Sequence, residues 1–338
     1  MTAILPAAER TAAAARRPMG PAGWGTVRTV LRVHRAALVL WSLLVAALAG
    51  GTVWITELAE RAVRAERASC ERAGHDLCDI AVGWVGYDGP ITWTGMATGG
   101  AFVAVAAFAG GALTGRELDS GTARLAWTQG VTPTRWLAAK LAVPALAVTL
   151  GVTVLVLVFR WAWAVDRPPI YADWWSLEAY AARGPVAVAH ALCALAVGTL
   201  AGLLLRRSLP ALGVSVAVML GLTTLLTSYR GALWPTVTVT SATEIPSIPE
   251  DSWELESGTL VHGRPVTGLD ASVCDRPDVS LERCWDDLGV TGHYVRFHPE
   301  SHYWPLQLVE SGIVLAVAAL ATAAAFLLLR RRTATSGG

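Results

Sequence analysis

Long runs of uncharged, apolar residues constrain the fold of this chain more than any other feature. About 20 consecutive apolar residues cross the hydrocarbon core of a membrane as a helix, and a buried helix of a soluble protein rarely runs that far without a charge. Five runs contain no Asp, Glu, Lys or Arg: residues 36–56, 89–115, 141–159, 184–205 and 208–229. A sixth run, residues 311–329, directly follows Glu310. The sequence therefore predicts six transmembrane helices.

The composition agrees with a membrane protein. Only 16% of the 338 residues are charged, against about 25% in soluble domains. We expect an all-α polytopic membrane protein with six transmembrane helices, an N-terminal interfacial elbow helix and a mixed extracytoplasmic domain between helices 5 and 6. The expected parts are a disordered cytoplasmic tail (1–23), the elbow helix (24–35), transmembrane helices 1–5 (36–229), the extracytoplasmic domain (230–306), transmembrane helix 6 (307–332) and a cytoplasmic tail (333–338).

The distribution of basic residues sets the expected orientation. With both termini inside, the inner segments hold 15 Lys and Arg residues, whereas the outer segments hold 12 over nearly twice the length. Lys and Arg close to span ends favour the cytoplasmic side. We therefore expect a multi-pass protein of the cell membrane with both termini in the cytoplasm. The coupling loop 116–140 is then inside, and the loops 57–88 and 160–183 are outside.

Two segments outside the spans have patterns of their own. Residues 24–35 place apolar side chains on one helical face and arginines on another, which is typical of a helix that lies in the membrane interface. Within the outer domain, residues 236–240 and 293–297 alternate with period two, which predicts half-buried strands. The histidines of this domain match no strong zinc signature, so we expect no metal.

The loop 116–140 is predicted to contain a short helix between two spans. Thr122 is a hydroxyl cap for a helix that begins after Gly121, and Gly130 can end it in a left-handed turn. Thr132 and Pro133 then begin the third span, since proline is favoured at the first helical position. A short helix across the inner mouth of two spans is a docking surface. Glu117 and Arg124 are its expected charged contacts.

Four of the five cysteines fall in outer loops. Cys70 and Cys78 share the first outer loop, and Cys274 and Cys284 share the last. Cysteines in an oxidising space tend to form disulfides. Four cysteines allow three connectivities; pairing within each loop is the simplest, and pairing between the loops stays open.

Three polar residues lie in or beside the spans. His190 lies within the fourth span, and Gln307 and Glu310 share one face at the start of the sixth. Ionisable groups at such depths are functional candidates, so these residues are candidates for a cargo path or a gate. The alternatives are a hydrogen bond from His190 to a neighbouring helix, and a Glu310 carboxylate that still reaches water.

The sequence lacks the common catalytic signatures. Lys140 is the only lysine, and Ala139 precedes it. A phosphate-binding P-loop needs Gly-Lys followed by Ser or Thr, so this chain cannot hold one. Zinc-protease and serine-hydrolase signatures are absent as well. We expect a non-catalytic membrane subunit without a cofactor, so any ATP would be hydrolysed by another chain.

Several short motifs carry a resemblance to a known family. They are Arg-Glu-Leu at 116–118, Gly-Thr-Ala-Arg-Leu-Ala-Trp-Thr-Gln at 121–129, Thr-Arg-Trp-Leu-Ala-Ala-Lys at 134–140, and Tyr-Trp-Pro-Leu-Gln at 303–307 with Glu310 and the closing arginines 330–332. With the six-span layout, they resemble the type-2 ATP-binding-cassette (ABC) exporter permeases, in the Ala- and Arg-rich form found in actinobacteria. The tail and the middle of the outer domain have no counterpart in that resemblance.

The resemblance implies a function and partners. Such permeases begin with an elbow helix, carry a coupling helix between the second and third spans, and work as two permease halves on cytoplasmic ABC ATPase subunits, with cargo passing between the halves. The coupling residues would be Glu117, Gly121, Thr122, Arg124 and Trp127. The expected partners are the ATPase, a second permease copy or a homologous permease, and the lipid membrane; no nucleic acid is expected. The alternatives are a mechanical transmitter that acts through its outer domain, and a membrane-embedded enzyme.

Overall fold

A computed structural model describes residues 24–74, 78, 86–128, 131–164, 173–269, 274 and 280–334. The predicted N-terminal tail 1–23 and residues 335–338 of the C-terminal tail lie outside the described residues. Within the described part, six helical segments are long and apolar enough to cross a membrane. They are Arg35–Arg72, Gly89–Asp119, Pro133–Trp163, Val186–Leu205, Ser208–Ala232 and Glu300–Thr333. Each predicted apolar run falls on one of them, so the polytopic helical fold is confirmed.

The chain enters its first span through a break between two helices. Helix α1 covers Trp24–Val33 and helix α2 covers Arg35–Arg72. His34 separates them, with φ −101° and ψ 15°. Helix α2 continues well beyond the predicted span because the residues after it carry Glu and Arg at helical spacing.

The second span changes its helical geometry along its length. It runs as α3 (Asp88–Gly99), α4 (Ala101–Ala107), a π-helix (Phe108–Gly115) and α5 (Arg116–Asp119). Short π segments within helices are often found at functional sites. The apolar run predicts one continuous span here, without the π-helix that the structure contains.

The remaining spans follow the predicted order. Helix α6 (Thr122–Thr128) is the short helix of the loop, and α7 (Pro133–Ala164) begins at the predicted proline. A short α8 (Leu177–Ala182) precedes α9 (Val186–Leu205), and α10 (Ser208–Tyr229) follows. Helix α12 (Tyr303–Ala334) is the last. Helix α9 is the most buried of the spans and packs against α12, the π-helix, α10, α4 and α7.

Small residues let the π-helix approach α9 closely. A Cβ atom on Gly198 would lie 2.7 Å from the Ala109 Cβ and 2.8 Å from the Gly110 nitrogen. A Cβ on Gly202 would lie 3.0 Å from the Gly115 nitrogen. Only glycine fits these positions, since the nearest atoms include backbone that cannot move aside. Gly198 and Gly202 therefore form a seam that fixes α9 against the π-helix.

The described residues between 237 and 298 form a four-stranded sheet and include one α-helix. The strands are β1 (Val237–Ser241), β2 (Trp253–Val261), β3 (Arg264–Val266) and β4 (Val290–His298), and α11 covers Leu281–Asp287. All pairs are antiparallel, in the order β1-β4-β2-β3. The two segments with an alternating pattern thus fall on β1 and β4, which are neighbours. Val237 lies opposite Phe297 and Thr240 opposite Tyr294.

The cysteines pair within their loops. Cys70 is bonded to Cys78, and Cys274 to Cys284. Cys193 is free and buried in α9. Of the pairings that the sequence left open, the structure has the simplest.

The helical bundle has two ends, a loop end and a sheet end. The loop end comprises α1 and His34, helices α5 and α6, the first two turns of α7, the turn at Arg206–Arg207 and the last turns of α12. These parts meet through a contact from Lys140 to His34 and a hydrogen bond from Arg332 to the Leu203 carbonyl. The sheet end comprises the four-stranded sheet, α8 and the first turns of α9 and α12. Trp174 Nε1 joins the sheet domain there by donating to the Asp251 carbonyl at 2.7 Å.

Candidate functional site

The π-helix is the part of the second span that leads into α5 at the loop end. The ammonium of Lys140 on α7 donates to the carbonyl of Leu113 at 2.8 Å. Thr114 Oγ1 lies 3.3 Å from the Ala109 carbonyl and 3.4 Å from the Thr199 carbonyl on α9. Side chains from this span and from α7 therefore supply donors to backbone carbonyls around the π-helix, where the regular α-helical bonding is changed.

Glu117, Lys140 and His34 form a charged cluster just beyond the π-helix, and we call it the loop-end cluster. The Glu117 carboxylate forms an ion pair with the Lys140 ammonium, whose side chain is 4% exposed. His34 Nε2 lies 3.5 Å from Lys140 Nζ and 3.8 Å from Glu117 Oε1. The ammonium can only donate, so His34 Nε2 is the acceptor. The cluster connects α5, α7 and the break between α1 and α2.

The charge state of His34 agrees with that geometry. Burial lowers the pKa of His34, the neighbouring Lys140 ammonium lowers it further, and Glu117 partly opposes both. The imidazole is therefore neutral at pH 7, as an acceptor for the ammonium must be. The net charge of the cluster is then zero, which suits its burial.

The short helix α6 is attached to this cluster and to the helices around it. Thr122 Oγ1 donates to the Glu117 carbonyl at 3.3 Å and lies 3.1 Å from Ser120 Oγ. Thr122 thus bonds back to α5 as the first residue of α6, whereas the sequence predicted it as the helix cap. Gly121 has φ +73° between the two helices. The side chain of Arg124 lies outside the described part of the structure.

Aromatic packing holds the other end of α6. The rings of Trp127 and Trp136 meet edge to face at a centroid distance of 5.8 Å. Ala123, Trp136, Leu137, Leu203, Ala325 and Leu329 form a buried apolar cluster there. Helix α6 is therefore packed against α7, α9 and α12 at once. Lys140 also lies over the Trp136 ring, 5.1 Å from its centroid.

A second polar cluster lies at the sheet end, and we call it the sheet-end cluster. Glu310 on α12 accepts from Arg230 Nε at 2.9 Å, and their side chains are 1% and 4% exposed. The Arg230 guanidinium lies over the Tyr180 ring, 3.7 Å from its centroid. Glu310 was expected to line a cargo path, to close a gate or to reach water; in this structure it is buried and paired.

Gln307 and His190 lie in the same region. Gln307 Nε2 donates to the Tyr180 carbonyl at 2.7 Å, and its Oε1 accepts from the Val186 amide at 3.2 Å. Gln307 therefore joins α12 to the end of α8 and the start of α9. His190 is buried 5.6 Å from the Phe102 ring, and its Nε2 has no hydrogen-bond partner among the described residues.

The sequence identified some of these residues and missed others. Glu117, Gln307, Glu310 and His190 were candidates, and the structure places the first in the loop-end cluster and the other three near the sheet end. Lys140, His34 and Arg230 were not predicted as site residues. The position of Lys140 is a signal for this site, because a lone lysine at the start of an apolar span needs an acidic partner if it is buried.

The fold and these clusters define a multi-pass membrane protein whose helices converge on one short loop helix. A family model described as ABC-2 membrane transporter related matches residues 42–230, more than half of the chain. The chain belongs to this family and is a membrane subunit of the ABC-2 transporter type, which confirms the resemblance to type-2 permeases. No curated protein and no solved structure matches the chain. The matched residues include the loop 116–140 and end at Arg230.

Proposed function

We propose that this chain is the permease subunit of an ATP-driven exporter. A separate cytoplasmic ABC ATPase hydrolyses ATP and docks at the loop end, and cargo moves between two permease halves. The loop end is then cytoplasmic, and the domain 230–306 is extracytoplasmic. The observation that carries the proposal is the loop-end cluster, because it joins the short helix pair α5–α6 to two spans and to the helix break at His34.

The contacts give a route by which a push on α6 would reach the spans. Helix α6 is bonded to α5 through Thr122. Glu117 of α5 is ion-paired with Lys140 of α7, and Lys140 also holds the Leu113 carbonyl in the π-helix. The π-helix is packed on α9 through Gly198 and Gly202. A displacement of α6 therefore acts on the second, third and fourth spans together, as coupling requires.

The buried position of Glu117 bears on which charged side chain of the loop contacts the proposed ATPase. Glu117 already has a buried partner within the chain, so it acts by positioning the loop. Asp119 and Ser120 are exposed beside it. Asp119 and the equally exposed Arg116 are therefore the charged side chains of α5 that we assign to direct contact with the ATPase.

The sheet-end cluster fits a closed outer gate. The Arg230–Glu310 pair joins the end of α10 to α12, and Gln307 joins α12 to α8 and α9. An outward-open path between these helices requires these contacts to separate. The cost of separating a buried ion pair is high unless another partner replaces it, so we propose that the gate opens only when ATPase binding or cargo offsets that cost.

The remaining parts take the roles that the family implies. Helix α1 is proposed as an interfacial elbow, and a second permease copy or a homologous permease completes the path. Helix α2 leaves most of its apolar span exposed within this chain, since only 6% of that span is buried. Lipid or the second permease would cover that surface. An origin in actinobacteria is likewise part of the proposal.

One observation favours a second candidate function, mechanical transmission through the outer sheet. His298 Nε2 lies 3.0 Å from the Gly231 carbonyl at the end of α10, and the rings of Trp175 and Trp253 stack at 6.5 Å. The sheet is thus attached firmly to the helices and would move with them. Vesicles that contain the purified complex separate the two functions, because only a transporter accumulates cargo when ATP is supplied.

A charge exchange tests the coupling role. Glu117→Lys alone and Lys140→Glu alone each place like charges together, which can cost several kcal/mol. We expect each to reduce co-purification of the ATPase with the tagged chain, and the double variant to restore it. Arg135→Glu, an exposed charge reversal on the same helix, is the matched control. If the double variant is as defective as the single ones, Glu117 does not act through Lys140.

A further inference from the structure

A cavity of about 700 Å³ lies at the loop end between three parts of the chain. Helix α6 lines one side, the end of α9 with its turn into α10 lines the second, and the last turns of α12 line the third. Three of the six candidate spans, Gly89–Asp119, α9 and α12, end at this cavity. Transmembrane spans end near the polar headgroup layer, which puts a cavity at these span ends within reach of lipid headgroups on that side.

The charged side chains that line the cavity in the described structure are positive. Among the described residues, Arg206 and Arg332 belong to its lining and no Asp or Glu does. Arg332 donates to the Leu203 carbonyl, which holds its guanidinium at the end of α9. Arg206 is a non-glycine residue in the left-handed region, with φ 54° and ψ 18°. That backbone conformation places Arg206 at the turn between α9 and α10, where its exposed side chain reaches the cavity rim.

The rest of the lining is largely apolar. Leu203, Leu328 and Leu329 line the cavity on the side of the spans, and Thr128 and Thr333 add hydroxyl groups. A site with guanidinium groups at its rim and leucines towards the bilayer matches a molecule with an anionic head and an apolar tail. Guanidinium groups bind phosphate oxygens through paired hydrogen bonds, and basic pockets between membrane helices bind anionic headgroups.

We propose that this cavity binds the headgroup of an anionic phospholipid, with its phosphate between Arg206 and Arg332. The bound lipid would connect α6 to the ends of α9 and α12, because all three line the site. The lipid would thereby stabilise the position of the loop helix. The proposal does not depend on the ATPase, since it concerns this chain and the membrane alone.

Native mass spectrometry of the full-length chain in detergent tests the site. The probes are dioleoylphosphatidylglycerol, dioleoylphosphatidylcholine and soluble glycerol 3-phosphate. We expect the first to bind in a saturable way, and Arg206→Gln and Arg332→Gln each to weaken that binding at least about tenfold, as loss of a charged hydrogen bond does. Arg207→Gln is the matched control, because Arg207 lies in the same turn but does not line the cavity. It should bind as the unmodified chain does.

Three results would overturn the proposal. Equal weakening by Arg207→Gln would mean that general surface charge attracts the lipid. Equal binding of phosphatidylcholine would mean that the arginines do not select an anionic group. Saturation of the site by glycerol 3-phosphate alone would mean a soluble phosphate ligand rather than a lipid. Thermal unfolding without added lipid shows that each variant is folded, and the two variants Arg206→Gln and Arg332→Gln report independently.

Discussion

Single residues fix the positions of helices in this protein through buried charge. Lys140 is the only lysine of the chain, and it contacts a carboxylate, a carbonyl and an imidazole from three different segments. Arg230 has a comparable arrangement at the sheet end, with Glu310 as its ion-pair partner and Tyr180 under its guanidinium. A buried charge with fixed partners specifies one arrangement of helices, since any other arrangement leaves the charge unpaired.

The Arg230–Glu310 pair gives a prediction at this scale. Glu310→Ala leaves the Arg230 guanidinium buried without its carboxylate, which should cost about 3–5 kcal/mol. Replacing both residues by Met removes the charges together and should cost much less. Thermal unfolding of the purified protein in detergent measures both effects. An unchanged unfolding temperature in Glu310→Ala would show that the pair does not hold α10 and α12 together.

The helices are arranged around α9 because small residues let its neighbours come close. The π-helix lies against Gly198 and Gly202, and its own glycines face α10: a Cβ on Gly110 would lie 2.5 Å from Ser215 Oγ. This arrangement places the π-helix, and hence the loop that follows it, at a fixed height relative to α9. The geometry of the loop end thus depends on a seam inside the bundle.

A substitution in that seam tests its role. Gly198→Ala places a Cβ against the Gly110 backbone, and overpacking of this kind costs about 1–3 kcal/mol. We expect a lower unfolding temperature for this variant. Gly213→Ala on α10 is the matched control, because no atom lies within 4 Å of its added Cβ, and alanine favours a helix over glycine. Equal stability of the two variants would contradict the close packing of α9 on the π-helix.

The sequence predicted the elements better than their internal geometry. Apolar runs fixed the six spans, and Pro133 fixed the first residue of α7. Alternation predicted two strands that turned out to be neighbours. The π-helix at 108–115 left no periodic signal, because its residues are uncharged and mostly small, so an α-helix and a π-helix give the same apolar pattern. Partners such as Lys140 and Glu117 are 23 positions apart, and only the fold brings them together.

At the scale of the whole molecule, α12 and α10 connect the sheet-end cluster to the loop end, where the loop-end cluster lies. Helix α12 runs from Gln307 and Glu310 at the sheet end to Arg332 beside α6. Helix α10 runs from the turn after Arg206 to Arg230. A movement that starts at the loop end can therefore reach the proposed outer gate through rigid helices.

The orientation of the molecule in the membrane is a prediction at this scale. Introduced cysteines at Ser120 and Ser257, which are both exposed, should react oppositely with an impermeant thiol reagent on intact cells. The background lacks Cys70, Cys78, Cys274 and Cys284, so only the introduced thiols report. We expect labelling at Ser257→Cys alone. Labelling of Ser120→Cys from outside would reverse the proposed topology and place the loop end away from any cytoplasmic ATPase.

The central claim is that force from a separate ATPase enters through the loop end. Site-specific photo-crosslinking tests it most directly, with a benzophenone side chain at Ser120 in one variant and at Ser257 in a control, both in cells that express the full transporter. The claim predicts a cross-linked product at Ser120 whose second chain is an ABC ATPase by peptide mass spectrometry, and no such product at Ser257. An ATPase cross-link at neither position, or equally at both, would contradict the claim.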